Sequence, residues 1–275
     1  MFELPEYLTL ARQINETLPG RKVREGSLGN SPHKFVWYNR THEEFAELTA
    51  GTTVGEARVR GRFMLVDLRP GCVLVLGECG GRILYHEPGV ALPKKYHLLL
   101  RFEGESALTV TTQMWGAMEL HEAGTEMGGK FLKDMRPTPV DETFTFEHFQ
   151  GLIASQEGER RSAKGLLTQD QLIPGLGNSI AQDILFRAHL HPRHLISDLD
   201  DHQRRELFDS LRSTLEEITE AGGRYDEVDL FGRKGGYVRL MDKKAAGRPC
   251  PACGTTVEKI QYLGGACYLC PQCQT

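Results

Sequence analysis

Long apolar runs are missing from this 275-residue chain. No stretch approaches the roughly 18 residues that a membrane helix needs, so no membrane-spanning helix is expected. The opening Met1-Phe2-Glu3-Leu4-Pro5 has no basic segment followed by an apolar one, so no secretory signal is expected. Cysteine is scarce before residue 250, where only Cys72 and Cys79 occur. This fits a reducing cytoplasm. An excess of positive charge is also lacking. The net charge of −4 argues weakly against a nucleic-acid partner. Internal repeats and low-complexity tracts are absent. What remains, 40% hydrophobic and 25% charged residues, is ordinary globular composition, enough for two domains and a small module.

The cysteines that are present are concentrated. Cys250-Pro-Ala-Cys253 and Cys270-Pro-Gln-Cys273 are separated by sixteen residues. Two such pairs can set four thiolates around one Zn²⁺ with no open ligand position, which makes the site structural. Disulfides are the alternative, and paired C-P-x-C repeats favour the metal. Gly254 and Gly264-Gly265 supply turns, and Val257–Tyr262 reads as a short strand of a zinc ribbon. From Phe231 to Thr275 seven basic residues stand against two acidic ones. That local excess suits either a phosphate-facing surface or a solvated charged face.

Periodicity divides the rest. Leu8, Ala11, Ile14 and Leu18 predict a helix over residues 5–18. Strands are predicted at Ala57–Leu68, Cys72–Leu76, Ile83–His86, Tyr96–Phe102, Ala107–Thr112 and Met118–His121. A Pro-rich boundary follows at 135–146. Helices are then predicted at Phe146–Ser155, Ser162–Gln169, Gly177–Ala188 and Asp200–Ala221, with a long Gly-rich, charged loop over 224–245. The expected fold class is α+β and multidomain. Residues 1–134 form an N-terminal helix with an antiparallel β-sandwich, 135–245 a helical domain, and 246–275 the zinc module.

Within the helical part, Gln171-Leu-Ile-Pro-Gly-Leu-Gly-Asn178 turns and then opens a helix. Its glycines and exposed helix-start amides suit a phosphate, or an ordinary helix corner. Taken with the cysteine pairs, Glu3-Leu4-Pro5-Glu6, Ile184–Pro192 and Cys270-Pro-Gln-Cys-Gln274, this motif resembles the formamidopyrimidine-DNA glycosylase / endonuclease VIII family along nearly the whole chain. The resemblance implies a helix–two-turn–helix, double-stranded DNA with a damaged or abasic nucleotide as partner, a monomer, and glycosylase or abasic-site lyase chemistry in base excision repair. A non-catalytic binder of abasic or distorted DNA is the alternative.

In that family an N-terminal proline amine attacks C1′ of the damaged nucleotide, and the following Glu acts as general acid/base. Glu3 matches the acid, but Phe2 occupies the proline position. Phe is too large for removal of the initiator Met, so the Met1 α-amine becomes the leading nucleophile. Lys34 is in reserve, and His33 also lies in Ser31–Tyr38, a segment that the resemblance does not explain. Arg62 stands for a strand lysine and Gly265 for the finger arginine. The implied phosphate contacts are Arg62, Lys164, Asn178, Arg233 and Lys234. Met114 and Trp115 match a wedge that fills the space of a flipped base, with Gln113 and Glu78 in place of the family's arginine and methionine. The loop Asp229–Tyr237 would cap the everted base and is mobile by composition.

Overall fold

The structure, a computed structural model, describes residues 1–31, 33–128, 132, 136–156 and 158–275. Pro32 of the Ser31–Tyr38 segment and the expected boundary at 134/135 lie outside the described residues. The chain forms two compact units, Met1–Met135 with Ala221–Gly236, and Arg136–Glu220 with Tyr237–Thr275. The second unit runs across the sequence division at 245/246. Part of the expected long loop joins the first unit, and the cysteine module joins the helices. Among the described residues no helix is long and apolar enough to cross a membrane.

The first unit opens with α1 (Leu4–Thr17). Glu3 is its N-cap, Pro5 sits in its first turn, and the Glu6 carboxylate accepts the Glu3 amide at 2.9 Å. This reciprocal cap starts the helix sharply at residue 4. Two sheets follow. One holds β1 (Val23–Leu28), β7 (Leu98–Phe102), β8 (Ala107–Thr112) and β6 (Gly81–His86), in that order. The other runs β2 (Val36–Tyr38), β9 (Gly116–Glu122), β5 (Cys72–Gly77), β4 (Phe63–Arg69), β3 (Thr53–Arg60).

Alternation places Leu74 and Leu76 of β5 in the main core with Phe2, Tyr7, Leu10 and Ile14 of α1. Val73 and Val75, on the opposite face, meet Leu65 and Leu132. The sheet is thus covered on both faces, and every residue of β5 is buried.

Three expectations need correction. The single strand Ala57–Leu68 is a hairpin, β3 and β4, turned at Gly61 with φ 57°. Glycine takes this left-handed conformation without steric cost. Second, β1, β2 and α2 (His42–Thr49) were not expected from periodicity. β2 is only three residues long, and β1 and α2 carry few apolar residues, so none gives a periodic signal, although the Thr41/Glu44 capping box does mark the start of α2. β2 also pairs with β9 in parallel, so the sheets are not wholly antiparallel.

Third, the loop expected to be mobile is tied down. Asp229 accepts from the Phe231 and Arg233 amides and from Gln13 of α1, at 2.8–2.9 Å. Gly235 passes so close to the Gly223 carbonyl that a Cβ would fall 2.1 Å from that oxygen.

The second unit contains α3 (Phe146–Ala154), α4 (Ala163–Thr168), α5 (Asn178–Arg187) and α6 (Asp201–Glu220). Phe144, Phe149 and Phe208 pack as one aromatic cluster, with ring centroids 5.7–6.4 Å apart. The hairpin β10 (Glu258–Tyr262) and β11 (Gly265–Leu269) docks on α5, where Gln182 accepts the Tyr268 amide at 2.7 Å.

Asp183 of α5 is fully buried and accepts from Tyr237 Oη and from the Leu240 and Met241 amides at 2.8–2.9 Å. Replacing it strands three buried donors. The expected outcome for Asp183→Ala is a loss of about 3 kcal/mol or more, measured by urea denaturation.

Candidate active site and cysteine centre

The start of α1 is organised by a residue far away in sequence. Gly222 and Gly223, with φ 74° and 106°, end α6 and turn the chain. Arg224 then enters the first unit with only 1% exposure. Its Nε and Nη2 donate to the two Glu6 oxygens at 2.9 and 2.7 Å. Its Nη1 lies 3.4 Å from Glu3 Oε1, and Nη2 also donates to the Met1 carbonyl at 2.9 Å. Burial works against the guanidinium charge, but Glu6, Glu3 and Glu227 more than reverse this and hold its pKa above the usual arginine value.

The Met1 amine donates to Glu227 Oε1 at 2.8 Å, and Met1 is 52% exposed. Phe2 is fully buried, edge-on to Tyr7 with centroids 5.7 Å apart. Its amide donates to the Cys79 carbonyl at 2.9 Å. The side chain that excludes a proline here therefore anchors the chain start, leaving the amine at the surface beside the buried Glu3. Burial pushes the neighbouring Cys79 thiol up to about 12, so it stays protonated and does not compete as a nucleophile. Periodicity and motifs did not point to Arg224 or Glu227. The two consecutive glycines before Arg224 are the available signal, because they turn the chain there.

The expected DNA-facing residues of this unit fall in different settings. Arg62, in the β3–β4 turn, is paired with Glu78 at 2.7 Å. Its charge is already engaged, unlike that of a free phosphate ligand. Met114 and Trp115 are 64% and 52% exposed, so Trp115 is not a core residue. Phe35 packs on Trp115, with centroids 4.8 Å apart. His33 Nε2 lies 3.3 Å from the Gln113 carbonyl, and Lys34 sits over the Phe35 ring. Residues 33–35 thus pack beside the Gln113–Trp115 loop. Arg233 and Lys234 are exposed, over the rings of Phe231 and Tyr225 respectively.

In the second unit Asn178 is exposed at the first turn of α5, and its Nδ2 donates to the Ala266 carbonyl at 3.2 Å. Lys164 departs from the expected exposed contact. It is 2% exposed, and its ammonium donates to the Tyr262 carbonyl at 2.6 Å, joining α4 to the cysteine hairpin. A Cβ on Gly265 would stand 3.2–3.5 Å from the Asn178 side chain, so the residue in place of the finger arginine lies against Asn178.

The Sγ atoms of Cys250, Cys253, Cys270 and Cys273 all lie within 4.8 Å of one another, and all seven cysteines are free. Cys250–Cys273 and Cys253–Cys270 are 3.9 and 3.5 Å apart. Tetrahedral thiolates around a metal with ~2.3 Å bonds would stand about 3.8 Å apart, so the four could hold a metal ion. The Ala252 and Cys273 amides donate to Cys250 and Cys270 Sγ at 3.4 Å, support that charge-rich sulfur clusters need.

These parts define a two-unit α+β protein with a DNA-glycosylase-type sheet unit, a helix–two-turn–helix and a C-terminal cysteine cluster. Residues 1–118 match the formamidopyrimidine-DNA glycosylase N-terminal domain, and residues 135–228 its H2TH domain. The chain belongs to the formamidopyrimidine-DNA glycosylase / endonuclease VIII family. It is 28% identical to a formamidopyrimidine-DNA glycosylase of Listeria innocua over the full length of both chains. It is likewise 28% identical to one of Bacillus cereus, covering 100% of this chain and 99% of that protein. The crystal structure of MutM (Fpg) from Thermus thermophilus superposes with a TM-score of 0.83 at 28% identity, covering 99% and 98% of the chains. Lactococcus lactis Fpg, solved with abasic-site DNA, shares the fold with a TM-score of 0.85 at 22% identity, covering 99% of each chain.

Removing the guanidinium would leave Glu3 and Glu6 buried without a counter-charge. Arg224→Met is expected to destabilise the protein by about 3–5 kcal/mol in urea denaturation.

Proposed function

We propose that this protein is a DNA glycosylase and abasic-site lyase of base excision repair, acting on a nucleotide flipped out of duplex DNA, with the Met1 α-amine as its nucleophile. The observation that carries this reading is the assembly at the start of α1, where one buried guanidinium holds Glu3 and the Met1 carbonyl in place. At an abasic site the neutral amine adds to the C1′ aldehyde, water leaves, and an iminium forms. Loss of a C2′ proton then expels the 3′ phosphate. Glu227 is within hydrogen-bond reach to take the ammonium proton, and Glu3 serves as acid/base on the sugar. Abasic sites are the favoured substrate because they need no base activation and flip at little unpairing cost. Classical oxidised purines should be cleaved weakly, since Phe2, Arg62 and Gly265 all replace family groups.

Double-stranded DNA is the partner of a monomer. Asn178, Arg233 and Lys234 supply phosphate contacts, while Lys164 and Arg62 are engaged within the protein, and Met114 with Trp115 supplies the wedge. One structural Zn²⁺ is held by Cys250, Cys253, Cys270 and Cys273. The sulfur spacing supports this, and the closed ligand set leaves the metal no part in the reaction. A non-catalytic binder of abasic DNA is the second reading, favoured by the ion pair that occupies the Met1 amine.

Borohydride trapping on abasic duplex separates the two readings. A covalent adduct is expected for the unmodified protein. Glu3→Gln should lower strand cleavage by about 10²-fold or more while DNA binding persists. Acetylating the N-terminus should abolish the adduct. Cleavage that survives both changes refutes the Met1 mechanism, and tight binding with no adduct supports the binder. For the metal, Cys253→Ser should release about one zinc per chain by elemental analysis and reduce DNA affinity. Metal-free protein as isolated would remove zinc from this account.

A further inference from the structure

The Ser31–Tyr38 segment builds a second feature beside the wedge loop. Phe35, just before β2, and Trp37, within it, are 44% and 43% exposed. With Trp115 they line a cavity of about 230 Å³ that also takes in Lys34, Glu78 and the β9 backbone at Gly116 and Ala117. Gly116 leaves its stretch of the β9 backbone bare of side chain. The slot is continuous with the wedge loop, because the Gly116 amide donates to the Phe35 carbonyl at 3.1 Å and His33 reaches the Gln113 carbonyl.

Its chemistry is specific. Aromatic faces line an open slot, with one ammonium and one carboxylate also present. A planar heteroaromatic ring stacks on such faces whatever its sequence identity. The Glu78 carboxylate, paired with Arg62 through one oxygen, has a second oxygen that can accept from an exocyclic amine, and Lys34 can meet a backbone phosphate. Met114 and Trp115, exposed at the adjoining loop, would unstack a duplex next to the slot.

We propose that the Phe35–Trp37–Trp115 slot is a binding site for an unpaired nucleobase, the one left opposite the flipped nucleotide. This rests on the proposed action on flipped-nucleotide DNA. It differs from simple void filling, since the orphaned base is taken out of the stack and held on protein rings.

The test uses two duplexes carrying a stable abasic analogue. One has 2-aminopurine opposite the analogue, and the other has a second abasic analogue there. Binding of the full-length protein should quench 2-aminopurine fluorescence through stacking. Trp37→Ala should weaken binding to the first duplex by about tenfold and leave the second nearly unchanged. Circular dichroism and thermal melting report whether the variant is folded. A 2-aminopurine signal that rises on binding, or equal losses on both duplexes, overturns the proposal. So does a concentration-dependent dimer in sedimentation that Trp37→Ala abolishes, which would assign the slot to a second copy. Failure of the unmodified protein to bind either duplex would instead refute the proposed function itself.

Discussion

A single buried cation organises the amino end of this protein. Arg224 meets Glu6 through two nitrogens, approaches Glu3, and holds the Met1 carbonyl. An isolated charge at 1% exposure would be prohibitively costly, as would two buried carboxylates. Each is tolerated only because the other is present. The start of α1 and the segment after α6 therefore cannot adopt their positions independently. The contacts of Asp229 and Gln13 extend the same tie along α1.

That constraint sets the chemistry available at the chain start. Phe2 buries completely and hydrogen-bonds to β5's continuation at Cys79, while Arg224 takes the carbonyl of Met1. Residue 1 is left exposed, with its amine paired to Glu227. Phenylalanine at position 2 thus anchors the chain start, and the carbonyl contact fixes the residue before it. Residue 1 needs no side-chain anchor, because residue 2 supplies one.

The second unit shows a comparable economy. Lys164 and Asn178 both donate to carbonyls of the cysteine hairpin, at Tyr262 and Ala266. The hairpin is thereby mounted on the helical motif, and the bare Gly265 lets the Asn178 side chain lie against it. A metal held by the four cysteines would stiffen the same hairpin from its other end.

Much of this was legible in the residues alone. The helical spacing of α1 and of α3 to α6, the apolar run of β5 and the cysteine pairs are local patterns. Periodicity and spacing report local geometry directly, and the departures at Phe2, Arg62 and Gly265 were visible by position. What the sequence could not disclose were pairings across long separations. Nothing near Glu3 announces Arg224, and nothing near Arg62 announces that Glu78 will engage it. β2, at three residues, is too short for a period and α2 is largely polar, so their existence depended on the sheet edge and core that receive them. Local chemistry thus determined which elements and ligands this protein possesses. Tertiary structure decided which charges are neutralised, which aromatics stay exposed and where the amine points, because those outcomes depend on desolvation by residues distant in the chain.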